Sequence, residues 1–439
     1  MGRAVVTESA TVPRTAVPVQ PNLGSPVGPT IVLGAGMVGV CTALHLQQRG
    51  VEVLLLDRRG PGEETSHGNA GVIQQEAVTP YPFPWDWPTL AGALMQRTPA
   101  IRWQGLAVVA MLPQLARYAW HSLPARHQRI TQAYSQLVRH ANAEHQPLID
   151  AAQAQELVTR SGFRFAFRSA QALDAAAQDA ERVRQQFGVP FAALDGPCLQ
   201  QVEPALQREL AGALHWTSPW SVCDPGALVQ RYAQLFVKRG GTLVQGNAHS
   251  LQAHGGGWRV QASSAGEWSH AEQVVVALGP WSGQLVRPLG YRIPLFVKRG
   301  YHQHHVGGGT LNLPLLDAER GYVLAPMRQG LRLTTGAELA ALDSPPTPAQ
   351  LVMAQASANE LLELGAPANQ PPWLGNRPCM PDMLPVVGPA WRHKGLWFNF
   401  GHGHQGFTLG PTTGRLLAEQ MAGGTAFIDP QPYWPSRFG

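Results

Sequence analysis

Hydrophobic and polar positions form their clearest pattern between residues 30 and 57. An apolar, β-branched run from Thr30 to Leu33 is followed by three closely spaced glycines and then by apolar residues at helical spacing. A second apolar run begins at Val51 and stops at the charged residue Asp57. This pattern predicts a strand, a tight turn, a helix and a second strand within about 30 residues.

The rest of the chain changes period several times. Residues 125–205 are mostly helical by period, and a further helix is expected from Gly226 to Arg239. The runs "TLVQG", "WRVQA" and "QVVVALG" predict strands, and alternating segments between Tyr291 and Leu339 predict a separate antiparallel sheet. The pentapeptide "FVKRG" occurs at Phe236 and again at Phe296, but its surroundings differ and indicate no repeat. These elements predict an α/β fold.

Domain organisation follows from where the glycine-rich segments lie. The first lies near residue 34, the segment "QVVVALGPWS" ends a predicted strand in the middle of the chain, and a third lies near the C-terminus. One nucleotide-binding domain is therefore predicted from the separated segments 30–100, 205–290 and 375–439. The segments 101–204 and 291–374 are expected to form a substrate domain. Residues 1–29, rich in Pro, Thr, Ser and Gly, are expected to be a flexible tail without a secretory signal.

Composition narrows the class of function. The formal net charge of the 439 residues is +5, but the basic residues are scattered, so no nucleic-acid partner is expected. The four cysteines show neither metal-site nor disulfide spacing, which favours a reducing, cytoplasmic location and no structural zinc. The apolar stretch from Gly105 to Trp120 is interrupted by Pro113 and Arg117, and it falls short of the roughly 20 apolar residues of a membrane span.

The first glycine-rich turn predicts a dinucleotide site. Its G-x-G-x-x-G spacing sits between a predicted strand and a predicted helix, and Asp57 follows at the offset expected of a ribose-binding acid. Glycines allow the tight turn and the approach of a pyrophosphate to the helix N-terminus. From the residues alone, FAD and NAD fit equally well. The expected contacts are Gly34, Ala35, Gly36, Met37, Val38, Gly39, Asp57 and Arg58.

The C-terminal segment "NFGHGHQGFTLGPTTG", residues 399–414, allows three interpretations. It could form a metal site on His402 and His404, a phosphate-binding loop, or the docking point of an organic cofactor. The metal site is the weakest of these, because the two histidines have no acidic or Cys partner nearby in the sequence. No metal is therefore predicted.

Taken together, the segments resemble the D-amino-acid oxidase superfamily of flavoproteins, and most closely its bacterial D-amino-acid dehydrogenase branch. The resemblance extends from about Thr30 to Gly423. It rests on the ordered segments "GAGMVGVCTALHLQQRGVEVLLLDR", "ETSHGNAGVI", "DPGALVQRYAQLFVKRGGTLVQG", "ALGPWS", "RLTTGAEL", "RPCMPDMLPVVG" and "GHGHQGFTLGPTTGRLLAE". It implies bound FAD, a Rossmann-like FAD domain and a smaller substrate domain that closes over the flavin.

The same resemblance implies positions for further flavin contacts. The C-terminal turn and the helix after it would approach the pyrimidine end of the flavin, where a helix N-terminus stabilises negative charge. The implied contacts are Ser66, Asn69, Ala70, Gly71, Gly279, Trp281, Gly401, Gly403, His404, Gln405, Gly406, Phe407 and Thr408. A Cys-linked flavin, as in relatives of the sarcosine-oxidase type, would involve Cys379, although the "RPCMPD" pattern is closer to noncovalent members.

Substrate contacts are also implied by the resemblance. Arg377, in "WLGNRPCMPD", is expected to bind the substrate carboxylate, with a structural salt bridge to Asp382 as the alternative. Tyr322 is expected as a second carboxylate ligand or a wall, with an ordinary core position as the alternative. The histidines of "GYHQHHVGGG" are expected at a strand edge rather than in the pocket.

The predicted function is FAD-dependent oxidation of D-amino acids to 2-oxo acids and ammonia, with electrons passed to a quinone or another acceptor. The alternatives are an oxidase or a dehydrogenase of secondary amino acids, of the glycine/sarcosine or D-proline/hydroxy-D-proline type, and a flavoprotein without catalysis. The Trp-rich stretch "YPFPWDWPTLAGALMQ" is expected to cover the active site, to form part of the core, or to lie on the inner face of a membrane, where the resemblance places dehydrogenases of this branch. Oxidases of the sarcosine type place a lysine over the flavin to promote the reduction of oxygen. Because this chain has only three lysines, oxygen is expected to be a poor acceptor.

Overall fold

The computed structural model describes residues 27–85, 100–262, 266–368 and 371–439, together with residues 92 and 95. Most of the predicted tail, residues 1–26, lies outside the described residues, and so do parts of the Trp-rich stretch. The helices are α1 (Met37–Gln47), α2 (Gly105–His121), α3 (Pro124–Val138), α4 (Ala141–Ala151), α5 (Ala170–Phe187), α6 (Gly196–Val202), α7 (Pro225–Lys238), α8 (Ser282–Val286), α9 (Ala349–Asn359) and α10 (Gly406–Met421).

The strands fall into two large sheets and two small ones among the described residues. They are β1 (Thr30–Leu33), β2 (Val53–Asp57), β3 (Val72–Ile73), β4 (Ile101–Trp103), β5 (Val158–Thr159), β6 (Phe163–Phe167), β7 (Phe191–Asp195), β8 (Gly212–Trp216), β9 (Trp220–Val222), β10 (Thr242–Gln245), β11 (Asn247–His254), β12 (Gly257–Gln261), β13 (Trp268–Ala271), β14 (Gln273–Val276), β15 (Phe296–Gly307), β16 (Leu315–Asp317), β17 (Tyr322–Met327), β18 (Gly330–Thr334), β19 (Ala337–Leu339), β20 (Gly365–Pro367), β21 (Trp373–Cys379), β22 (Val386–Pro389) and β23 (Leu396–Phe400).

The first large sheet contains the predicted strand–turn–helix–strand unit. Its strand order is β10-β2-β1-β14-β23-β22, parallel except for the last pair. Alternate residues of β1 face opposite sides, so Val32 packs toward the helices, while Ile31 and Leu33 pack toward the sheet formed by β11, β12 and β13. A sheet covered on both faces explains the nearly continuous apolar runs of β1 and β2.

Helices α1 and α10 cover one face of this sheet and lie very close together. A Cβ atom at Gly414 would lie 2.9 Å from the backbone of Cys41, so the glycine is what permits the contact. The two helices come from opposite ends of the chain. The first sheet is therefore assembled from separated segments, as the glycine-rich positions predicted.

Helices α3 and α4, within the segment 101–204 that the sequence assigns to the substrate domain, contribute to a large buried cluster. Leu137 of α3 and Ile149 of α4 belong to the same buried cluster as Val40 of α1 and Leu416 of α10. His145 joins them, with Nε2 at 3.0 Å from the Phe407 carbonyl oxygen. A periodic apolar face shows that a helix is buried but not which domain it joins, so the domain assignment of these helices stays a prediction.

The second large sheet forms the other side of the molecule. Its order is β4-β19-β15-β18-β17-β16-β6-β8-β7, and β20 and β21 also pair with β15. The antiparallel sheet predicted between residues 291 and 339 is present, and strands from residues 163–216 extend it. Leu315 and Leu324 of this sheet pack against Leu351 and Ala354 of α9 in a separate buried cluster.

His302, His304 and His305 are buried within β15, so the expectation that they decorate a strand edge is wrong. Strand β15 is paired on both sides: His302 lies opposite Thr334 of β18 and opposite Trp373 of β21. The His302 ring stacks on the Trp373 ring with 5.0 Å between centroids. Polar residues in a sequence favour an exposed strand, and here the long, centrally placed strand outweighs that preference.

Candidate active site

A cavity of about 950 Å³ is lined by residues of both large sheets. One side is formed by the glycine-rich turn after β1, the end of β2 and the segment after β23. The other side is formed by β15, β17 and β21. Residues 80–84 and helix α2 contribute a third wall. A cavity of this size and position fits a cofactor together with a small substrate.

The turn after β1 requires its glycines for two separate reasons. Gly34 has a φ of +106°, and a Cβ there would lie 2.5 Å from the carbonyl oxygen of Ala277. A Cβ at Gly39 would lie 1.7 Å from the carbonyl oxygen of Gly34, so glycine allows α1 to start directly against the turn. Met37 donates its N–H to Ser66 Oγ at 3.0 Å, which fixes the neighbouring loop against the first turn of α1.

Asp57 stands at the end of β2 and lines the same part of the cavity. Its carboxylate accepts hydrogen bonds from the N–H groups of Ala35 at 2.6 Å and Arg59 at 3.0 Å. Burial raises the pKa of Asp57, and these backbone donors counteract the rise. A carboxylate held in this way can accept hydrogen bonds from hydroxyl groups such as those of a ribose.

The C-terminal segment reaches the cavity as a turn followed by the N-terminus of α10. Gly401 and Gly403 have φ values of +85° and +60°, and Gly403 donates its N–H to the carbonyl oxygen of Pro378 at 2.7 Å. Because the first N–H groups of a helix have no partner inside it, this end of α10 offers hydrogen-bond donors and partial positive charge at the cavity. The segment therefore suits an electron-rich ring or an anionic group.

The two histidines of this turn have different surroundings. His402 is buried, with Nε2 at 3.0 Å from Thr413 Oγ1, and burial lowers its pKa to about 3. His404 lines the cavity, and burial, followed by the positive charges of Arg377 and Lys298, lowers its pKa to about 3. Both imidazoles are neutral at pH 7. Within the described residues no group of three or more His, Cys, Asp or Glu side chains could hold a metal ion.

Arg377 extends from β21 into the cavity wall. Its guanidinium donates to the carbonyl oxygens of Gly336 at 2.7 Å and Thr335 at 3.0 Å. The alternative of a salt bridge with Asp382 is wrong, because Asp382 pairs with Arg437 at 2.7 Å. Burial lowers the pKa of Arg377, but a guanidinium stays charged at neutral pH. The site thus presents a fixed positive charge without a carboxylate partner among the described residues.

Tyr322 lies outside the cavity lining, in the core position that the sequence left as the alternative to a substrate contact. Its hydroxyl donates to Asp317 Oδ2 at 3.0 Å and accepts a hydrogen bond from Arg168 at 3.3 Å, in the core of the second sheet. The next residue, Val323, faces the cavity instead. Successive residues of a strand point to opposite faces, and the sequence did not show which face of β17 is inward.

The other predicted cofactor contacts fall into two groups. Those that line the cavity are Gly34, Gly36, Met37, Val38, Asp57, Arg58, Ser66, Asn69, Ala70, Gly279, Trp281, Gly401, Gly403, His404, Gly406 and Phe407. Those outside the lining are Ala35, Gly39, Gly71, Gln405 and Thr408. Two members of the second group hold Gln74, which also lines the cavity. Thr408 Oγ1 accepts the N–H of Gln74 at 3.1 Å, and the Gln405 side-chain amide donates to Gln74 Oε1 at 2.8 Å.

Sequence reasoning missed most of the aromatic wall. Tyr118 of α2 donates its hydroxyl hydrogen to the carbonyl oxygen of Tyr81 at 2.6 Å, and the ring of Phe83 meets it edge-on. The ammonium nitrogen of Lys298 lies 4.3 Å from the centre of the Tyr118 ring. The signal was the run of Pro and aromatic residues after residue 79, which the sequence assigned only to a lid, a core or a membrane surface.

Arg332 is a second residue that sequence reasoning missed. It is 3% exposed and donates to the carbonyl oxygens of His67 at 3.0 Å and Asn69 at 2.5 Å. Its Nε–H donates to His304 Nε2 at 3.1 Å. Burial lowers its pKa to about 10, so the side chain remains charged at pH 7. Arg332 therefore fixes the loop that carries Asn69 and Ala70 into the cavity.

Comparisons with known proteins agree on one family. Residues 30–420 match the model of the DAO family, described as FAD dependent oxidoreductase. A D-amino-acid oxidase of Bradyrhizobium diazoefficiens is 31% identical over 422 residues, which cover 93% of this chain and 98% of the relative. A D-amino acid dehydrogenase of Cereibacter sphaeroides is 33% identical over 420 residues, covering 90% and 91% respectively.

The fold also matches a solved structure. Glycine oxidase from Geobacillus kaustophilus superposes with a TM-score of 0.68 at 19% identity, covering 93% of this chain and 98% of that chain. At that identity the likeness concerns the fold alone. None of the described helices combines the length and the hydropathy that a membrane span requires.

Proposed function

This chain belongs to the DAO family of FAD-dependent oxidoreductases, and we propose that within it the protein oxidises the α-amino group of D-amino acids. The predicted family, the α/β fold with a Rossmann-like FAD domain and the use of FAD are confirmed. The NAD alternative, which the residues alone had left open, is set aside. Relatives named D-amino-acid oxidase and D-amino acid dehydrogenase support the proposal that the substrates are D-amino acids.

The residues of the cavity fit FAD. The turn at Gly34 and the N-terminus of α1 would hold the pyrophosphate, and Asp57 would accept hydrogen bonds from a ribose. The turn at Gly401 and Gly403 would lie against the flavin ring, with the N-terminus of α10 stabilising negative charge on it. When bound, FAD supplies the two-electron acceptor for the hydride that leaves the substrate Cα.

The observation that carries the substrate proposal is Arg377, a charged guanidinium in the cavity wall without a carboxylate partner among the described residues. A planar guanidinium binds a carboxylate through two parallel hydrogen bonds, which fixes both the position and the orientation of an amino acid. The carbonyl oxygens of Thr335 and Gly336 hold the Arg377 side chain in place. The aromatic wall around Tyr118 excludes water from the bound substrate.

The overall reaction consists of an oxidation step that forms an imino acid and a separate hydrolysis step. The substrate loses the Cα hydrogen with its electron pair and a proton from nitrogen, and a C=N bond forms. Water then adds to the imino acid and ammonia leaves, which gives a 2-oxo acid. The electrons continue to a quinone or another acceptor, which we propose in preference to oxygen.

Peripheral contact with the inner face of a membrane is part of the same proposal. Most of the exposed large hydrophobic side chains in the described residues come from residues 81–123, among them Leu112 and Trp120. Residues 87–143 contain six Arg and no Asp or Glu. An exposed apolar helix flanked by basic residues suits an anionic lipid surface, where a quinone would be available.

The test is an anaerobic screen of purified holoenzyme with single amino acids, monitored by the loss of flavin absorbance. We expect D-amino acids to bleach the flavin and their L-enantiomers to leave it oxidised. Glycine, sarcosine and D-proline belong in the panel, because faster bleaching by these compounds would replace the proposal with an enzyme of secondary amino acids or glycine. Rapid reoxidation by air would contradict the proposed acceptor.

A further inference from the structure

Two cations stand side by side in the cavity wall. Lys298 of β15 and Arg377 of β21 are paired across the two antiparallel strands, so their side chains emerge on the same face. Both line the cavity. Their charged groups have different neighbours: Lys298 lies over the Tyr118 ring, and Arg377 is held by the carbonyl oxygens of Thr335 and Gly336. Like charges at directly opposite positions of a sheet are destabilising, so this pairing needs an explanation.

No protein anion balances this pair among the described residues. The next residue along β15, Arg299, is fully buried and is compensated by Glu338 at 2.7 Å, in contrast to Lys298. Within the part of the chain that the structure describes, neither Lys298 nor Arg377 has a carboxylate within ion-pair distance. The acidic residues that the structure describes in the cavity lining are Asp57 and Glu64, and both belong to the dinucleotide-binding end.

The titratable neighbours of the pair are uncharged at neutral pH. Burial raises the pKa of the Tyr118 hydroxyl and of the Cys379 thiol, and both therefore stay protonated. His404 is neutral for the reason given above. Counting the described residues only, this end of the cavity holds two positive charges and no negative one, which is costly unless a ligand brings anionic groups.

We propose that the preferred substrates are D-amino acids with a second carboxylate, of the D-aspartate and D-glutamate class. Arg377 binds the α-carboxylate and Lys298 binds the side-chain carboxylate. This inference rests on the proposed function and deepens it. Arg377 is assigned the α-carboxylate because its guanidinium is held rigidly by two carbonyl oxygens and this carboxylate is common to all the substrates. Lys298 is assigned the side-chain carboxylate because its flexible side chain can reach both D-aspartate and D-glutamate.

The experiment compares charged substrates with their neutral isosteres on the same holoenzyme. For the wild type, kcat/KM for D-glutamate should exceed that for D-glutamine, and D-aspartate should exceed D-asparagine, by roughly tenfold to a hundredfold, as expected for one charge-assisted contact. In Lys298→Met this ratio should fall to near one, mainly through KM for the acidic substrates, and Lys298→Arg should restore part of it.

The chain offers a matched control. Lys238 lies in the same pentapeptide, "FVKRG", but is exposed at the end of helix α7, so Lys238→Met should change kcat/KM for neither the acidic nor the neutral substrate. A second readout does not depend on turnover: glutarate should raise the melting temperature of the wild type more than butyrate does, and Lys298→Met should lose this difference. Flavin content and melting temperature without ligand show whether the variant is folded.

Several results would overturn the inference. If kcat/KM of the wild type for D-glutamine equals that for D-glutamate, the inference loses its basis. If Lys298→Met lowers kcat/KM equally for acidic and neutral substrates, Lys298 acts on the cofactor or the electron acceptor instead. If neutral D-amino acids reduce the flavin and acidic ones do not, only this inference fails. If no D-amino acid reduces the flavin, the proposed function fails and this inference falls with it.

Discussion

Arg377 is the residue whose replacement best separates an amino-acid enzyme from an amine enzyme. Arg377→Leu removes the charged contact to the α-carboxylate, and transition-state binding should weaken by about 2 to 5 kcal/mol, roughly 30-fold to several thousandfold in kcat/KM. Arg377→Lys should recover only part of the loss, because an ammonium cannot bind Thr335, Gly336 and a carboxylate in the geometry of the planar fork.

The decisive measurement for Arg377 compares a D-amino acid with the amine that lacks its carboxylate. The wild type should strongly prefer the acid, and the Leu variant should lose most of that preference while flavin content stays near the wild-type value. A variant that keeps the preference while losing FAD or unfolding would make Arg377 a structural residue.

Glu76 gives a prediction about pH. It is 6% exposed, accepts a hydrogen bond from the Gln74 side chain at 2.9 Å and pairs with no cation among the described residues. Burial raises its pKa from 4.5 to about 7. The pKa of Glu76 is higher in the folded state than in the unfolded state. Below pH 4.5 its burial therefore does not lower the free energy of unfolding, and a loss of about 3 kcal/mol develops as pH rises to 7. Glu76→Gln should therefore raise the melting temperature at pH 8 and have little effect at pH 4.5.

The buried histidines act in the opposite direction and serve as an internal check on that measurement. His145 and His402 have pKa values lowered by burial to about 4 and about 3. The stability gained by keeping them neutral is fully present above pH 6.5 and is lost as pH falls toward those values. Wild-type stability should thus decline below pH 6.5, and Glu76→Gln should make that decline steeper between pH 6.5 and 4.5, because it removes a contribution of opposite sign.

At the residue scale, the sequence predicted the site correctly where the backbone geometry admits only one residue type. A turn in which a Cβ at Gly39 would overlap a carbonyl oxygen admits only glycine, so the pattern was readable without the fold. Tyr322 shows the limit. Its neighbour Val323 faces the cavity, and only the pairing of β17 with β16 and β18 decides which of the two is inward.

At the element scale, the pentapeptide "FVKRG" shows why local sequence was insufficient. At residues 236–240 it ends helix α7, and at residues 296–300 it begins strand β15. The first copy lies at the end of an amphipathic helix, whereas the second is paired on both sides with β19 and β21. Tertiary context therefore decides between two conformations that five residues permit equally.

Helix α1 supports a prediction about how an element holds the cofactor. Gly39→Ala would place a Cβ against the Gly34 carbonyl oxygen, which is backbone and cannot rotate away, so α1 must shift. We expect a loss of about 1 to 3 kcal/mol in unfolding free energy and a clear loss of FAD affinity, measured by denaturation and by flavin titration of the apoprotein.

Gly50→Ala is the matched control, just beyond the other end of α1. Gly50 has a φ of +77° and no atom within 4 Å of an added Cβ, so its replacement costs about 1 kcal/mol of backbone strain. FAD affinity should be unchanged in this control. Equal loss of FAD in both variants would show that α1 is merely fragile and that its N-terminus does not hold the cofactor.

At the scale of the whole molecule, helix α2 has one side on the cavity and the other in solvent. Leu112 and Trp120 are more than half exposed and lie outside the cavity lining. Replacing both by Glu should abolish sedimentation with vesicles that contain phosphatidylglycerol and should leave flavin content and activity with a soluble dye intact.

The control for that experiment is Val352→Glu, a 61% exposed position on α9, which packs on the second sheet. It should not change vesicle binding. Retained binding in the α2 double variant would remove membrane contact from the proposal, and binding only at low salt would leave a purely electrostatic attraction through the arginines.

The close packing of α1 against α10 has a consequence for synthesis on the ribosome. Strand β1 pairs with β14, and β14 pairs with β23. The cofactor cradle needs the N-terminus of α10, which is made several hundred residues after α1. At roughly 5 to 20 residues per second, the nascent N-terminal half waits for tens of seconds with its apolar sheet face unshielded. Chains arrested before residue 406 should therefore be captured by chaperones and be unable to retain flavin, and release of the last helix should end that dependence.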